Sequence, residues 1–282
     1  MQKFLDNYQF WRDEKLANAA GSLEECLVEV ANPQKLTAAE AGKIKQLCAD
    51  NNFALFTIPP QSDYPRAIID FNQQFDLTNQ DQHLYLQNDG LAHITQSSER
   101  GQSEFIPYTD RAIGWHTDGY YNAPSQRIRA FSLFCVTPAA SGGISQWIDP
   151  QMAYILLREK NADAADALAN PQALGVPEHI VDGIVRRAAS VGPIFFIDEQ
   201  TRQLSMRYTQ RKRYILPYSA EVGQAVEVLD DILQSKNPQR FEYRLDANQG
   251  IICNNVIHNR STFTDDLSRP RLLLRGRYGN RI

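Results

Sequence analysis

The sequence predicts a mainly β chain with flanking helices. From about residue 91 onward, short runs rich in aromatic and β-branched residues alternate with turn clusters, a pattern typical of strands. A few other segments carry helix caps or apolar residues at helical spacing. No internal repeat or low-complexity tract interrupts these signals. With 282 residues, 43% of them hydrophobic, the chain can bury one large core, so a single domain spanning 1–282 is expected.

The first elements should form a helical layer beside a sheet. Thr37 can cap a helix whose Glu40 completes a capping box, and this helix should run to about Asp50. Phe53–Ile58 is apolar and stops at two prolines, which indicates a buried strand. Tyr64–Phe75 then favours a second helix.

The rest of the chain is predicted to be strands interrupted by two helices. Asp149 followed by a proline is a helix start, so Gln151 to about Glu159 should be helical. A longer helix begins near Ser219, and its apolar stripe indicates a core-facing side. Strands are predicted over Leu91–Thr95, Gly114–Asp118, Ile128–Val136, Ile144–Ile148, Ile180–Ala188, Pro193–Ile197, Phe241–Leu245, Ile251–Val256 and Leu272–Tyr278.

Composition narrows the classes of partner. The net charge is -4, the isoelectric point is about 5.8, and basic residues are scattered, so a nucleic-acid partner is not expected. The four cysteines lie far apart, which favours reduced thiols over a disulfide framework or a zinc knuckle. No apolar stretch has the length of a signal peptide or a membrane span. We expect a cytoplasmic protein without a membrane partner, acting on a small molecule, and an oligomer of identical chains stays open.

His116 and Asp118 form the first candidate metal motif. In an extended strand, residues two positions apart point to the same face, so both side chains could grip one ion. The alternative is a surface pair without a metal.

His258 closes an apolar strand and is a candidate third ligand; the alternative is a histidine that hydrogen-bonds at the strand end. Two histidines and one carboxylate leave open positions that suit non-haem iron(II), whereas zinc more often keeps a closed tetrahedron. His83, His93 and His179 lack this carboxylate spacing and are kept off the ligand set.

Arginines follow the third candidate ligand. Arg271 and Arg275 lie four residues apart in an apolar strand and therefore share a face, where a forked cation could bind an organic acid. On an edge strand such arginines would instead meet solvent. The unbroken run Leu272–Leu274 favours a strand buried on both faces, and buried arginines need anionic partners.

Taken in order, these motifs resemble the taurine dioxygenase (TauD/TfdA) family of iron(II)/2-oxoglutarate oxygenases over about residues 105–278. The resemblance implies that His116, Asp118 and His258 bind Fe(II). It implies that Arg271 binds the distal carboxylate of 2-oxoglutarate and that Arg275 lies nearer the metal, although spacing alone separates these two roles.

A glycine pair adds to the resemblance. Ser141-Gly142-Gly143-Ile144-Ser145 is similar to the family's glycine pair with its following hydroxyl residue, so Ser145 would assist the arginine. The family's usual acidic residue and threonine are replaced here by Ile144 and Ser145, which puts only the details of cosubstrate contact in question.

The resemblance also implies a fold and a reaction. The fold would be a double-stranded β-helix, or jelly roll, with a helix–strand N-terminal part of about residues 1–104 packed on it. The reaction would consume O2 and 2-oxoglutarate, release succinate and CO2, and hydroxylate or oxidatively cleave a small polar metabolite. Two alternatives use the same ligands: a metal-binding jelly-roll sensor without turnover, and a zinc hydrolase.

Aromatic residues crowd the first metal motif and are candidate substrate contacts. Near Asp110, their faces could receive an amine or a quaternary ammonium group; the alternative is that many of them pack in the core. Equally, Arg275, Arg111 or Arg260 could receive a sulfonate or carboxylate. The aromatic candidates are Tyr108, Trp115, Tyr120 and Tyr121.

Overall fold

The computed structural model describes residues 1–82, 85–99, 101–181, 183–211, 214, 219–266 and 268–282. His83, one of the histidines kept off the ligand set, lies outside these residues. The helices are α1 (Gln2–Leu5), α2 (Tyr8–Ala17), α3 (Ala38–Asn51), α4 (Tyr64–Gln73), α5 (Pro150–Lys160), α6 (Ala162–Leu168) and α7 (Ala220–Gln234). Short 3-10 turns occupy Glu24–Cys26, Gln102–Glu104, Ile106–Tyr108 and Pro124–Gln126.

Strands account for most of the remaining regular structure. They are β1 (Leu27–Glu29), β2 (Phe53–Thr57), β3 (Ala92–Ile94), β4 (Ile113–His116), β5 (Ala130–Thr137), β6 (Ser141–Gly142), β7 (Ser145–Ile148), β8 (Leu174–Val176), β9 (His179–Val181), β10 (Ile184–Arg187), β11 (Ser190–Gly192), β12 (Phe195–Ile197), β13 (Leu204–Met206), β14 (Phe241–Tyr243), β15 (Gln249–Cys253), β16 (Ile257–Arg260), β17 (Phe263–Thr264) and β18 (Leu272–Tyr278). The predicted secondary-structure content, a mainly β chain with some helices, is confirmed.

The chain divides into two compact units. The first unit comprises residues 1–19, 114–127 and 148–240, and the second comprises 20–113, 128–147 and 241–282. Each unit is built from segments distant in sequence, so neither can form before the chain has closed long loops. The expectation of a single domain stays a prediction.

A six-stranded sheet dominates the second unit. Its strands lie in the order β1-β2-β15-β5-β18-β3, with β1 and β2 parallel and the other neighbours antiparallel. Because β18 lies between β5 and β3, it is not an edge strand, and Leu273 and Leu274 are buried. The prediction of a buried arginine-bearing strand is therefore confirmed.

The core of the second unit lies on this sheet. Phe53 of β2 packs edge-on against Trp147 of β7 at 5.3 Å between ring centroids, and β7 belongs to a second sheet in which β14, β7 and β16 are neighbours. Phe56 stacks on Phe71 of α4 at 4.3 Å. Aromatic side chains thus join two sheets and a helix, where their large apolar area contributes most to stability.

Five of the helices, α1, α2, α5, α6 and α7, lie in the first unit. The apolar stripe of α7 is buried as predicted, and the Ser219 hydroxyl caps the helix by accepting from the amide of Val222. Lys15 of α2 forms a buried ion pair with Asp149, at 2.5 Å between Nζ and Oδ2, and Asp149 also caps α5. The antiparallel strand pairs β8·β11, β9·β10 and β12·β13 complete this unit.

Several predicted boundaries differ from the structure. The strand predicted over Ile180–Ala188 is the hairpin β9–β10, which turns through Gly183 at φ +75°, a conformation that glycine adopts without strain. The strand predicted over Gly114–Asp118 ends at His116. The strand predicted over Ile251–Val256 starts two residues earlier and ends at Cys253.

None of the described helices has both the length and the apolar content that a bilayer crossing requires.

Candidate functional site

His116 and Asp118 lie together in the first unit. His116 ends β4 and Asp118 lies in the turn that follows, yet Nε2 and Oδ1 are 3.7 Å apart, and both side chains are largely shielded from solvent. Nδ1 of His116 is 2.9 Å from the carbonyl oxygen of Gly114. Because a carbonyl can only accept, Nδ1 carries the proton, and Nε2 is left with the lone pair that a metal needs.

The segment Arg207–Gln210 holds this motif in place. The amide of Thr117 donates to the carbonyl of Tyr208 over 3.0 Å, and the amide of Tyr208 donates to the Thr117 hydroxyl over 3.1 Å. The amide of Gln210 donates to the carbonyl of Trp115 over 2.9 Å. The backbone on both sides of His116 is therefore fixed by hydrogen bonds to one neighbouring segment.

Two side chains of that segment extend the support. The Tyr208 hydroxyl donates to Asp230 of α7 over 2.6 Å, and Nε of Arg207 donates to the carbonyl of Tyr120, also over 2.6 Å. Sequence reasoning missed both residues, since the Arg207–Gln210 segment has no motif and its partners are remote in the chain.

His258 lies in the second unit, on β16. Its Nδ1 is 2.8 Å from the carbonyl oxygen of Val256, which sets the same tautomer as in His116 and leaves the lone pair on Nε2. Two asparagines shape the turn before β16: Asn254 donates to the carbonyl of Cys48, and Asn255, at φ +50°, donates to the carbonyl of Ile128. Both imidazoles are thus oriented by backbone carbonyls two residues earlier.

Other histidines do not form such a set. His93 pairs with Asp89 at 2.7 Å, and His179 is exposed on β9. Among the described residues, no further group of three His, Cys, Asp or Glu side chains is close enough to hold a metal ion.

Arg271 is a buried cation in the second unit. Its side chain lies over the Phe263 ring at 4.9 Å, and burial lowers its pKa to about 10. Its backbone amide donates to Asp265, but within the described part of the chain its guanidinium has no hydrogen-bond acceptor. A buried arginine of this kind is prepared to receive an anionic ligand.

The glycine pair lies beside Arg271. Gly142 and Gly143 both have φ +69°, and a side chain on Gly142 would collide with the carbonyl of Thr262, so glycine is required there. A Cβ on Gly143 would lie 3.8 Å from Nε of Arg271. Ser145 follows on β7, opposite Tyr243, and no hydrogen bond joins it to Arg271.

Two further arginines differ in accessibility. Arg275 is half-buried on β18, opposite Leu133 of β5. Arg260 is buried, and its guanidinium donates to the carbonyls of Pro107, Thr109 and Arg111, which braces the segment before β4. Burial and the charge of Arg271 lower the pKa of Arg260 to about 9.

The predicted aromatic contacts fall into two groups. Trp115 and Tyr108 are buried, and Tyr108 packs edge-on against Tyr85, while Tyr120 and Tyr121 are half-buried and meet edge-on at 5.1 Å. In the second unit, Tyr108, Asp110 and Arg111 line a cavity of about 540 Å³. Their role in substrate binding stays a prediction.

Comparison with known proteins gives a consistent result. A family model described as Taurine catabolism dioxygenase TauD, TfdA family matches residues 12–277. A uridine-5'-phosphate dioxygenase from Streptomyces sp is 31% identical over 194 residues, which cover 66% of this chain and 69% of that protein. A second uridine-5'-phosphate dioxygenase, from Amycolatopsis sp, is 31% identical over 58% of this chain and 60% of its own length.

Among solved structures, an asparagine oxygenase in complex with Fe(II), 3-hydroxyasparagine and succinate is similar to this chain with a TM-score of 0.64. The similarity covers 86% of this chain and 80% of that one, at 14% sequence identity. At that identity the likeness concerns the fold.

Proposed function

We propose that this chain, which belongs to the taurine catabolism dioxygenase TauD, TfdA family, binds its iron(II) through His116, Asp118 and His258. One observation carries the proposal: His116 Nε2 and Asp118 Oδ1 lie 3.7 Å apart, and in both histidines a backbone carbonyl holds Nδ1 so that the Nε2 lone pair can bind a metal. Two imidazole nitrogens and a carboxylate oxygen fit ferrous iron and leave positions for other ligands.

Family membership makes the chain an iron(II)- and 2-oxoglutarate-dependent dioxygenase acting on a small polar metabolite. The predicted family, reaction class and cofactors are thereby confirmed. When bound, the iron and 2-oxoglutarate supply oxidative decarboxylation coupled to oxidation of a substrate C–H bond, with release of succinate and CO2. The chain's own part is to orient both imidazoles through backbone carbonyls and to keep Asp118 buried, where water competes little for the metal.

For the cosubstrate, we propose that Arg271 binds the distal carboxylate of 2-oxoglutarate. Its burial, its lack of an acceptor within the described part of the chain and its place beside Gly143 support this role. Ser145 would add a hydroxyl donor, and Arg275, which is half-buried, would lie nearer the metal-chelating end.

The finer structural expectations are proposals as well. We propose that the strands form a jelly roll, which the fold of the asparagine oxygenase and the two sheets of the second unit support. A cytoplasmic location is supported by the four cysteines, which are all buried and form no disulfide within the described part of the chain.

For the substrate, we propose a phosphate monoester of a nucleoside. Two relatives that are each 31% identical to this chain are named uridine-5'-phosphate dioxygenases, and a small polar metabolite of this kind fits the family's chemistry. A hydroxylated product and an oxidatively cleaved product both fit this substrate.

The test is anaerobic addition of iron(II) and 2-oxoglutarate to the metal-free chain. Formation of the chelate should give a weak visible charge-transfer band, which Asp118→Ala should abolish. His93→Ala is the matched control, because His93 also pairs with an aspartate but lies in no metal group among the described residues.

Succinate release in air should depend on uridine 5'-monophosphate. A band that survives in Asp118→Ala, or turnover with zinc and without 2-oxoglutarate, contradicts the proposal.

A further inference from the structure

We propose that Arg127, Arg187 and Arg207, here called the arginine cluster, form the subsite that receives the substrate's phosphate. The inference rests on the proposed function, because it concerns the same substrate. Neither the sequence motifs nor the comparisons indicate these three arginines. All three lie in the first unit.

Arg207 is the buried base of the cluster. Its guanidinium donates to the carbonyls of Tyr120, Leu174 and Ser190 and to the Ser190 hydroxyl, at 2.6 to 3.3 Å. All four acceptors are neutral, so these bonds hold the guanidinium in place without offsetting its charge. A buried cation without a counter-ion is costly, and a bound anion removes that cost.

The other two members bring further positive charge to the same place. Burial, and after it the positive charges of Arg127 and Arg187, lower the pKa of Arg207 to about 10. Arg127 also pairs with Asp198, at 3.9 Å. Within the described part of the chain, the hydrogen-bond acceptors of Arg187 and Arg207 are all neutral, so the local charge favours an anion.

Two members of the cluster contact the turn that follows the metal motif. Arg207 donates to the carbonyl of Tyr120, while Arg187 donates to the carbonyl of Tyr121 over 3.4 Å and lies over its ring at 5.3 Å. Tyr121 is three residues beyond Asp118, so their Cα atoms are at most about 10 Å apart. A ligand group held here is within reach of the metal motif.

Arg187 is the member of the cluster whose side chain is best placed to contact the ligand. It is half-buried on β10, and among the described residues its guanidinium has the Tyr121 carbonyl as its one hydrogen-bond acceptor. Its remaining N–H groups can therefore bind two oxygens of a phosphate side by side, a geometry that suits the planar guanidinium. A phosphate monoester, which carries close to two negative charges at neutral pH, matches the charge of the cluster.

The experiment compares the affinities of uridine 5'-monophosphate and uridine for the chain loaded anaerobically with iron(II) and 2-oxoglutarate. The unmodified chain should prefer the monophosphate by at least about tenfold, and Arg187→Leu should reduce that preference by about tenfold to a hundredfold. Affinity for uridine should not change. Arg186→Leu is the matched control, because Arg186 is the neighbouring arginine on the same strand and is exposed.

Arg187→Lys serves as a second variant should the leucine variant fail to fold. It keeps the charge but loses the fork, so its preference should fall between those of the unmodified chain and Arg187→Leu. An unchanged preference in either folded variant overturns the proposal, as does an unmodified chain that binds uridine as tightly as the monophosphate. The chelate band separates the two proposals: its absence from the unmodified chain refutes the iron site, whereas a normal band with an unchanged preference refutes the phosphate subsite.

Discussion

The Tyr208 hydroxyl donates a hydrogen bond to Oδ1 of Asp230 over 2.6 Å, and both residues are buried. The backbone of Tyr208 pairs with Thr117, so this one residue links α7 to the segment that carries His116 and Asp118. Burial and the neighbouring carboxylate hold the pKa of Tyr208 well above its ordinary value, which keeps the hydroxyl a donor at all working pH values.

Tyr208→Phe should lower the free energy of unfolding by about 1.5–3 kcal/mol, because the variant loses a buried hydrogen bond to a charged group. Urea denaturation measures this loss. Tyr243→Phe is the control: the Tyr243 hydroxyl is half-buried and meets the neutral Gln249 side chain at 3.0 Å, so about 1 kcal/mol should be lost. The chelate band should persist in Tyr208→Phe, since the backbone bonds to Thr117 remain. Equal losses in the two variants would contradict the role given to Asp230.

Arg271→Leu should weaken 2-oxoglutarate binding by about tenfold to a hundredfold, because a bidentate charged contact is lost. Iron binding should change little, since Arg271 is not in the metal group. Titration of the iron-loaded chain with 2-oxoglutarate, followed by the chelate band, measures the effect.

Arg275→Leu and Arg269→Leu are the controls for this experiment. Arg275→Leu should weaken 2-oxoglutarate binding less than Arg271→Leu does. Arg269 is exposed, so Arg269→Leu should leave 2-oxoglutarate binding unchanged. If Arg275→Leu has the larger effect, the two roles are exchanged. If iron and 2-oxoglutarate affinities fall together in Arg271→Leu, the residue supports the fold instead of binding the cosubstrate.

Local signals in the sequence were sufficient for several elements. The capping box of Thr37 and Glu40 is present as predicted, and so is the Ser219 cap of α7. Such features depend on residues three or four positions apart, so the sequence contains the whole interaction. The His116–Asp118 pair was recognisable for the same reason.

Interactions between remote segments could not be predicted. Arg207 meets the carbonyl of Tyr120, 87 residues away in the chain, and the pattern of neither residue indicates the other. The end of β4 at His116 was missed because the turn with Gly119 at φ +66° overrides the strand preference of the residues before it. Helices α1, α2 and α6 were also missed, since α1 and α6 are only four and seven residues long and Asn7 forms no side-chain cap at the start of α2.

Gly250→Ala and Gly42→Ala should change stability in opposite directions. A Cβ on Gly250 would collide with the buried ring of Phe56, which is stacked on Phe71 and cannot easily move, so a loss of about 1–3 kcal/mol or more is expected. Gly42 lies on the exposed side of α3 with no atom near its Cβ position, and alanine should add about 0.5–1 kcal/mol. Urea denaturation of both variants tests the packing of the Phe56 ring over Gly250 of β15; a neutral Gly250→Ala would contradict it.

Buried thiols should make the chain less stable as the pH rises above about 8.5. Burial raises the pKa values of Cys26, Cys48 and Cys135 to about 12, whereas the unfolded chain loses these protons near pH 8.5. The unfolded state therefore binds fewer protons than the folded state above that pH, and stability falls by up to about 1.4 kcal/mol per pH unit for each thiol.

Urea denaturation at pH values between 8 and 9.5 measures this slope before ordinary tyrosines begin to titrate. Cys48→Ala removes one of these thiols, so the slope should fall by up to about 1.4 kcal/mol per pH unit even though the variant is less stable at every pH. The change of the free energy of unfolding with pH depends on proton binding, whereas its overall level depends on packing. The two effects can therefore be read separately from plots of the free energy of unfolding against pH. A slope that is unchanged in Cys48→Ala would show that this thiol is already accessible to water in the folded chain.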